Sequence, residues 1–184
     1  MLALVLLATL TSDAGAPGDV AKAQAGDRVA FGRLFERYGR LVHGVLLSRV
    51  QRADADDLMH DVFMHALSRL DTLQNAQSVG AWLTAMARNR VADLKRKPEL
   101  VPLPADLAVL DPRRAEANQV LAVIRSLPEA YRETLVLRLV EGMSGKEIAE
   151  ETGLTAESVR VNLHRGMKLL RERLGLKSNE GDAP

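Results

Sequence analysis

Two clusters of cations and one of carboxylates carry most of the chemistry this sequence can offer. Arg88, Arg90, Lys95, Arg96 and Lys97 crowd one segment, and Arg160, Arg165, Lys168, Arg171 and Arg173 crowd another. Side chains of that charge and density suit phosphate, so the chain has two separate candidate phosphate-binding surfaces. Asp54, Asp56, Asp57 and Asp61, with His60 and His65 among them, form an acidic stretch upstream of both. These acids suit a helix N-terminus, whose exposed amides and dipole favour negative charge, or a cationic partner surface. The totals hide this pattern: 25 Lys and Arg against 24 acids leave a net charge of +1, so only distribution points to a polyanion.

Helices must position these groups. Aromatics are 3% of the residues and hydrophobics 47%, which favours helices packed through aliphatic side chains, and no stretch alternates with period two. Phe31, Leu34, Phe35, Tyr38, Val42 and Val45 recur at helical spacing. A second helix is expected from the Asp54 stretch to about Leu70, with Val62 and Ala66 facing its core. A loop over Asp71–Val79 leads to a third, carrying Trp82, Leu83, Met86, Ala87, Val91 and Leu94 on one stripe. The place of Trp82 on that stripe fits a core role better than base stacking. Four prolines between Pro98 and Pro112 forbid a continuous helix and predict an extended, flexible linker.

Beyond the linker, Ala115–Leu127 and Pro128–Glu141 read as two helices, with Pro128 at a first-turn position. Lys146–Thr152 is expected to stop at Gly153-Leu154, and Thr155 to cap a longer helix running to about Leu174. A short helix, a glycine turn and a basic helix make a helix-turn-helix, which presents its second helix to the major groove. Ile148, Ala149, Leu154, Val159, Leu163 and Leu170 would lock the pair. Glu157, Ser158, Val161, His164, Arg165 and Lys168 would face outward, with Arg160 and Asn162 on the flanks. Arginine and asparagine can read guanine and adenine edges, valine can meet a thymine methyl, and lysine suits a phosphate.

Other chemistry is poorly supplied. The chain has no cysteine, which excludes disulfides, thiolate metal sites and cysteine nucleophiles, and fits a reducing cytoplasm. Gly142-Met-Ser-Gly145-Lys146 lacks the four-residue gap and preceding strand of a phosphate loop and reads as a turn between helices. His60, Asp61 and His65 fit no metal-ligand pattern, and no nucleophile, base and orienting group converge, so neither an enzyme nor a cofactor site is expected. Met1–Leu10 is apolar but about half the roughly 20 residues a spanning helix needs, and no membrane span is expected.

The segment Leu127–Leu174, LPEAYRETLVLRLVEGMSGKEIAEETGLTAESVRVNLHRGMKLLRERL, resembles the promoter −35-binding domain of extracytoplasmic-function sigma factors. GDRVAFGRLFERYGRLV (26–42), DADDLMHDVFMHAL (54–67) and AWLTAMARNRVADLKRK (81–97) resemble that family's polymerase-binding and −10-binding domain. The resemblance implies an all-α protein with a region 2 domain over 26–97, a linker over 98–114 and a region 4 helix-turn-helix domain over 115–175. Tails over 1–25, expected to be disordered, and 176–184 complete this division.

It further implies that Asp57, His60, Asp61 and Phe63 contact the polymerase β′ clamp coiled coil. The β flap is the other expected contact on core RNA polymerase. Arg88, Asn89, Arg90, Asp93, Lys95 and Arg96, with the loop at 71–79, would face the −10 element as single-stranded promoter DNA. Ser158, Arg160, Val161, His164, Arg165 and Lys168 would read the −35 element. His60 stands where the family usually carries glutamine, and Asn162 where a basic residue is common. A separate anti-sigma factor is the expected regulator, no small-molecule substrate is expected, and the rival reading is a stand-alone helix-turn-helix regulator that binds DNA as a dimer.

Overall fold

A computed structural model describes residues 15–96 and 112–176. Every regular element among them is helical, in agreement with the expected all-α class. Residues 97–111, the greater part of the expected linker, and the apolar Met1–Leu10 lie outside the described residues.

The first group of helices is α1 (Ala16–Gln24), α2 (Arg28–Leu47), α3 (Arg52–Arg69) and α4 (Val79–Arg96). Helix α1 corrects the expectation of a disordered tail for residues 16–24; residues 1–14 lie outside the described residues. Pro17 suits its first turn, and Ala16, Val20 and Ala23 recur on one face and are buried. Small residues make that stripe weak in sequence, yet they let α1 lie close on α2, where Arg33 pairs with Asp19 at 2.7 Å. Asp27 caps α2 by accepting from the amides of Val29 and Ala30. The α2 stripe is buried at Leu34, Tyr38, Val42 and Val45, while Phe35 sits at its edge. Val62 and Ala66 of α3 face this core as expected, and Trp82 packs against it. The expected loop contains two short 3-10 turns, Leu70–Thr72 and Ala76–Ser78, the second capped by Asn75.

The second group is α5 (Pro112–Arg125), α6 (Glu129–Leu139), α7 (Gly145–Thr152) and α8 (Ala156–Arg173). Helix α5 begins at a proline, where a missing amide costs nothing, three residues earlier than the periodicity suggests. Pro128 is the N-cap of α6 rather than its first helical residue, because its extended ψ of 144° leaves the helix to start at Glu129. Helices α5, α6 and α8 bury Leu121, Ile124, Leu135, Leu137 and Leu170.

The two groups pack against each other, α2 on α6 and α4 on α7. Gly44 eases the first contact: a Cβ there would fall 2.6 Å from Leu137 Cδ2 and 2.9 Å from Glu141 Cγ, so any side chain at this position would force those two side chains to shift.

Candidate nucleic-acid interface

The helix-turn-helix is built from local signals. Ser144 and Glu147 form a capping box, in which Glu147 N–H donates to Ser144 Oγ at 3.2 Å and Ser144 N–H to Glu147 Oε2 at 2.7 Å. The second bond holds the Glu147 carboxyl below the ordinary carboxylate range. Gly153 ends α7 with φ +75°, a conformation that strains any residue with a Cβ, and Thr155 caps α8 by accepting from Ser158 N–H at 3.1 Å. Ile148, Val159 and Leu170 are buried between these helices and α6, with Ala149 and Leu163 partly buried beside them. Leu154, expected to help lock the pair, is instead 39% exposed.

On α8, Arg160, His164, Arg165 and Lys168 are exposed, and Ser158, Val161 and Asn162 are half-buried. Arg160 pairs with Glu157 at 3.0 Å, one turn earlier on the same helix. Such an exposed i,i+3 pair contributes only tenths of a kcal/mol, so the guanidinium can be exchanged to another acceptor at little cost. Glycine at 166 turns the opposite side of α8 toward α6, where a Cβ would stand 3.0 Å from Leu135 Cδ1. The basic face therefore looks outward from a helix held rigidly from behind.

On α4, Asn89, Arg90, Asp93 and Arg96 are exposed, whereas Arg88 is half-buried. Arg96 pairs with Asp93 at 2.8 Å. The Lys95 side chain lies outside the described residues. Arg88 turns into the seam between the two groups of helices and donates to Glu133 of α6, at 2.6 Å from Nη2 and 3.3 Å from Nε. In this arrangement Arg88 holds a carboxylate while its side chain stays 38% exposed, close to the 43% of Arg90. Arg49, at the end of α2, reaches the same carboxylate at 2.9 Å. Sequence reasoning missed Glu133 because an acid on a helix reads as solvated surface, and only the packing of α6 on α2 makes it 8% exposed.

On α3, Asp57, His60 and Asp61 are exposed on one side of the helix. Asp61 stands 3.6 Å from Arg90 of α4, which brings two residues of different expected surfaces together. Phe63 requires a correction: it is 3% exposed and its ring packs between Phe31, edge-on at 6.4 Å, and Phe35, tilted at 4.6 Å. An aromatic ring so enclosed anchors α3 on α2 and has no face for an outside partner. Met64, the next residue, is 56% exposed, and with Leu67 at 42% it is an apolar side chain that α3 does present.

The sequence matches two family models in chain order, Sigma-70 region 2 over residues 34–99 and Sigma-70 region 4 over residues 117–170. It is 30% identical to the RNA polymerase sigma factor CarQ of Myxococcus xanthus over 82% of this chain and 92% of that protein. It is 30% identical to the ECF RNA polymerase sigma factor BldN of Streptomyces coelicolor over 82% of this chain, but it spans only 62% of that longer relative. Among solved structures it resembles CnrH in complex with the cytosolic domain of CnrY, with a TM-score of 0.64 and 27% identity over 89% of this chain and 99% of that one. Two sigma regions in order, each on its own group of helices, and a relative matched along nearly its whole length place the chain: it belongs to the extracytoplasmic-function sigma factors of RNA polymerase.

Proposed function

We propose that this chain binds core RNA polymerase through the exposed side of α3, reads the −35 element with α8 and engages the −10 element along α4, so directing promoter recognition and opening. The family is not one of enzymes, and its role is to bring polymerase to promoters. The observation that carries the residue-level reading is the outward face of α8, where Arg160, His164, Arg165 and Lys168 stand exposed on a helix-turn-helix whose back is packed on α6. Asp57, His60 and Asp61, joined by Met64, supply the polymerase surface, with Phe63 acting only from within. The −10 surface comprises Asn89, Arg90, Asp93, Lys95 and Arg96, with Arg88 available once it leaves Glu133. The work is done in the cytoplasm, under a stress or environmental signal. A separate anti-sigma factor is the proposed regulator, on the analogy of CnrH, which is held by the cytosolic domain of a second protein.

The test is promoter binding by the purified chain with and without core polymerase. Tight, sequence-selective binding and strand opening only in the presence of core are expected. Binding of duplex DNA by the chain alone, as a dimer and with equal selectivity, would overturn the reading in favour of a stand-alone regulator.

A further inference from the structure

Between the two groups of helices lies a titratable cluster that neither DNA nor polymerase binding uses. His43 of α2 has a carboxylate at each ring nitrogen: Glu141 Oε1, just beyond α6, at 2.9 Å from Nδ1, and Asp56 Oδ1 of α3 at 3.1 Å from Nε2. A neutral imidazole has one N–H and can donate to only one of them, whereas the imidazolium donates to both. Glu141 is 9% exposed in its side chain, and its backbone carbonyl accepts from Arg40 Nη1 at 3.3 Å, so it is fixed at the seam. One residue along, Gly44 admits Leu137 and the Glu141 stem. The cluster thus spans the two groups beside the close contact of α2 with α6.

We propose that His43 is a proton-operated latch between the two helical groups: its imidazolium ties Glu141 of the second to Asp56 of the first, and loss of the proton loosens the closed arrangement. The charged groups around it fit this sense. The carboxylates of Glu141 and Asp56 act directly on the ring, and Arg40, on the same helix, is partly occupied by the Glu141 carbonyl and by the field of Glu147. The hydrogen bond that His43 donates to the Glu141 carboxylate holds its pKa above the ordinary value of 6.5, outweighing the opposite effect of burial. A group whose pKa is higher when closed stabilises closure fully below the open-state value, and that contribution is lost as pH rises through the closed-state value. Acid therefore closes the chain and alkali opens it. Resting on the reading of α4 given above, closure also keeps Arg88 on Glu133, so that the latch governs how readily the −10 surface is offered.

The chain has no cysteine, so Ser68→Cys and Glu172→Cys, one exposed site on each helical group, can carry a donor and acceptor dye for an intramolecular distance measurement. The closed-to-open ratio should fall as pH is raised from about 6 to about 9, by about tenfold for each unit that closure raises the His43 pKa. His43→Gln and Glu141→Gln, each checked for unchanged helicity, should both flatten that dependence. A ratio constant over this range in the parent chain, or a slope kept by both variants, would overturn the latch. Binding of single-stranded −10 DNA, measured alongside, separates the two claims: if the distance responds to pH and DNA binding does not, the latch stands and the role given to Arg88 fails.

Discussion

Glu133 receives two arginines from the first group of helices, and burial predicts that they contribute unequally to closure. Arg49 has a side chain only 8% exposed, and besides Glu133 at 2.9 Å it reaches Glu129 at 2.9 Å, Val45 O at 3.1 Å and Ser48 Oγ at 2.7 Å. Arg88 is 38% exposed and sits at 2.6 Å from the other carboxylate oxygen. Glu133→Gln leaves the Arg49 charge buried with only the exposed Glu129 to balance it. Breaking a buried pair costs about 3–5 kcal/mol, and with Glu129 still present roughly 2–3 kcal/mol is expected, about a 30- to 150-fold loss of closed over open chain. Arg88→Ala removes a more exposed partner, for which about 0.2–1 kcal/mol, at most about fivefold, is expected. The dye pair at positions 68 and 172 reads both, because the open chain returns all three groups to water. Equal effects of the two substitutions would refute the argument from burial, and no effect of Glu133→Gln would show that this network does not hold the helical groups together.

Three further outcomes are expected. Arg160→Ala or Arg165→Ala should compress the ranking of promoters in a −35 library transcribed by the holoenzyme, by about 1–3 kcal/mol of discrimination at the base concerned, while Lys168→Ala lowers all promoters together and reduces the salt slope by about one; loss of ranking on Lys168→Ala would reverse that division of labour. Ser144→Ala should destabilise the helix-turn-helix by about 1 kcal/mol in thermal or urea unfolding. The carboxyl of Glu147 lies below its unfolded value of 4.5 in the folded chain, so its contribution is present above that pH and lost on acidification. Parent protein should therefore lose more stability than Glu147→Gln between pH about 5 and about 3, and parallel losses would remove the cap from the account.

What the sequence determined by itself is what short-range physics specifies. Helix periodicity at Leu34, Tyr38, Val42 and Val45, the Ser144–Glu147 box, the left-handed Gly153 and the Thr155 cap each act within a few residues, and together they define a helix-turn-helix with a basic outer face. The same locality explains the misreadings. Phe63 lies beside exposed acids on α3, but its direction depends on Phe31 and Phe35 of another helix, and α1 buries small residues whose pattern is too faint to read without the surface that receives them. The seam belongs wholly to tertiary structure. Glu133 pairs with Arg88 across 45 positions and Glu141 with His43 across 98, separations at which no spacing rule operates, and only the approach of α6 to Gly44 converts these ordinary surface ions into a buried network and a titratable contact. Charge type can be read along the chain, whereas solvent access and partner, which set what a charge does, are properties of the packed molecule.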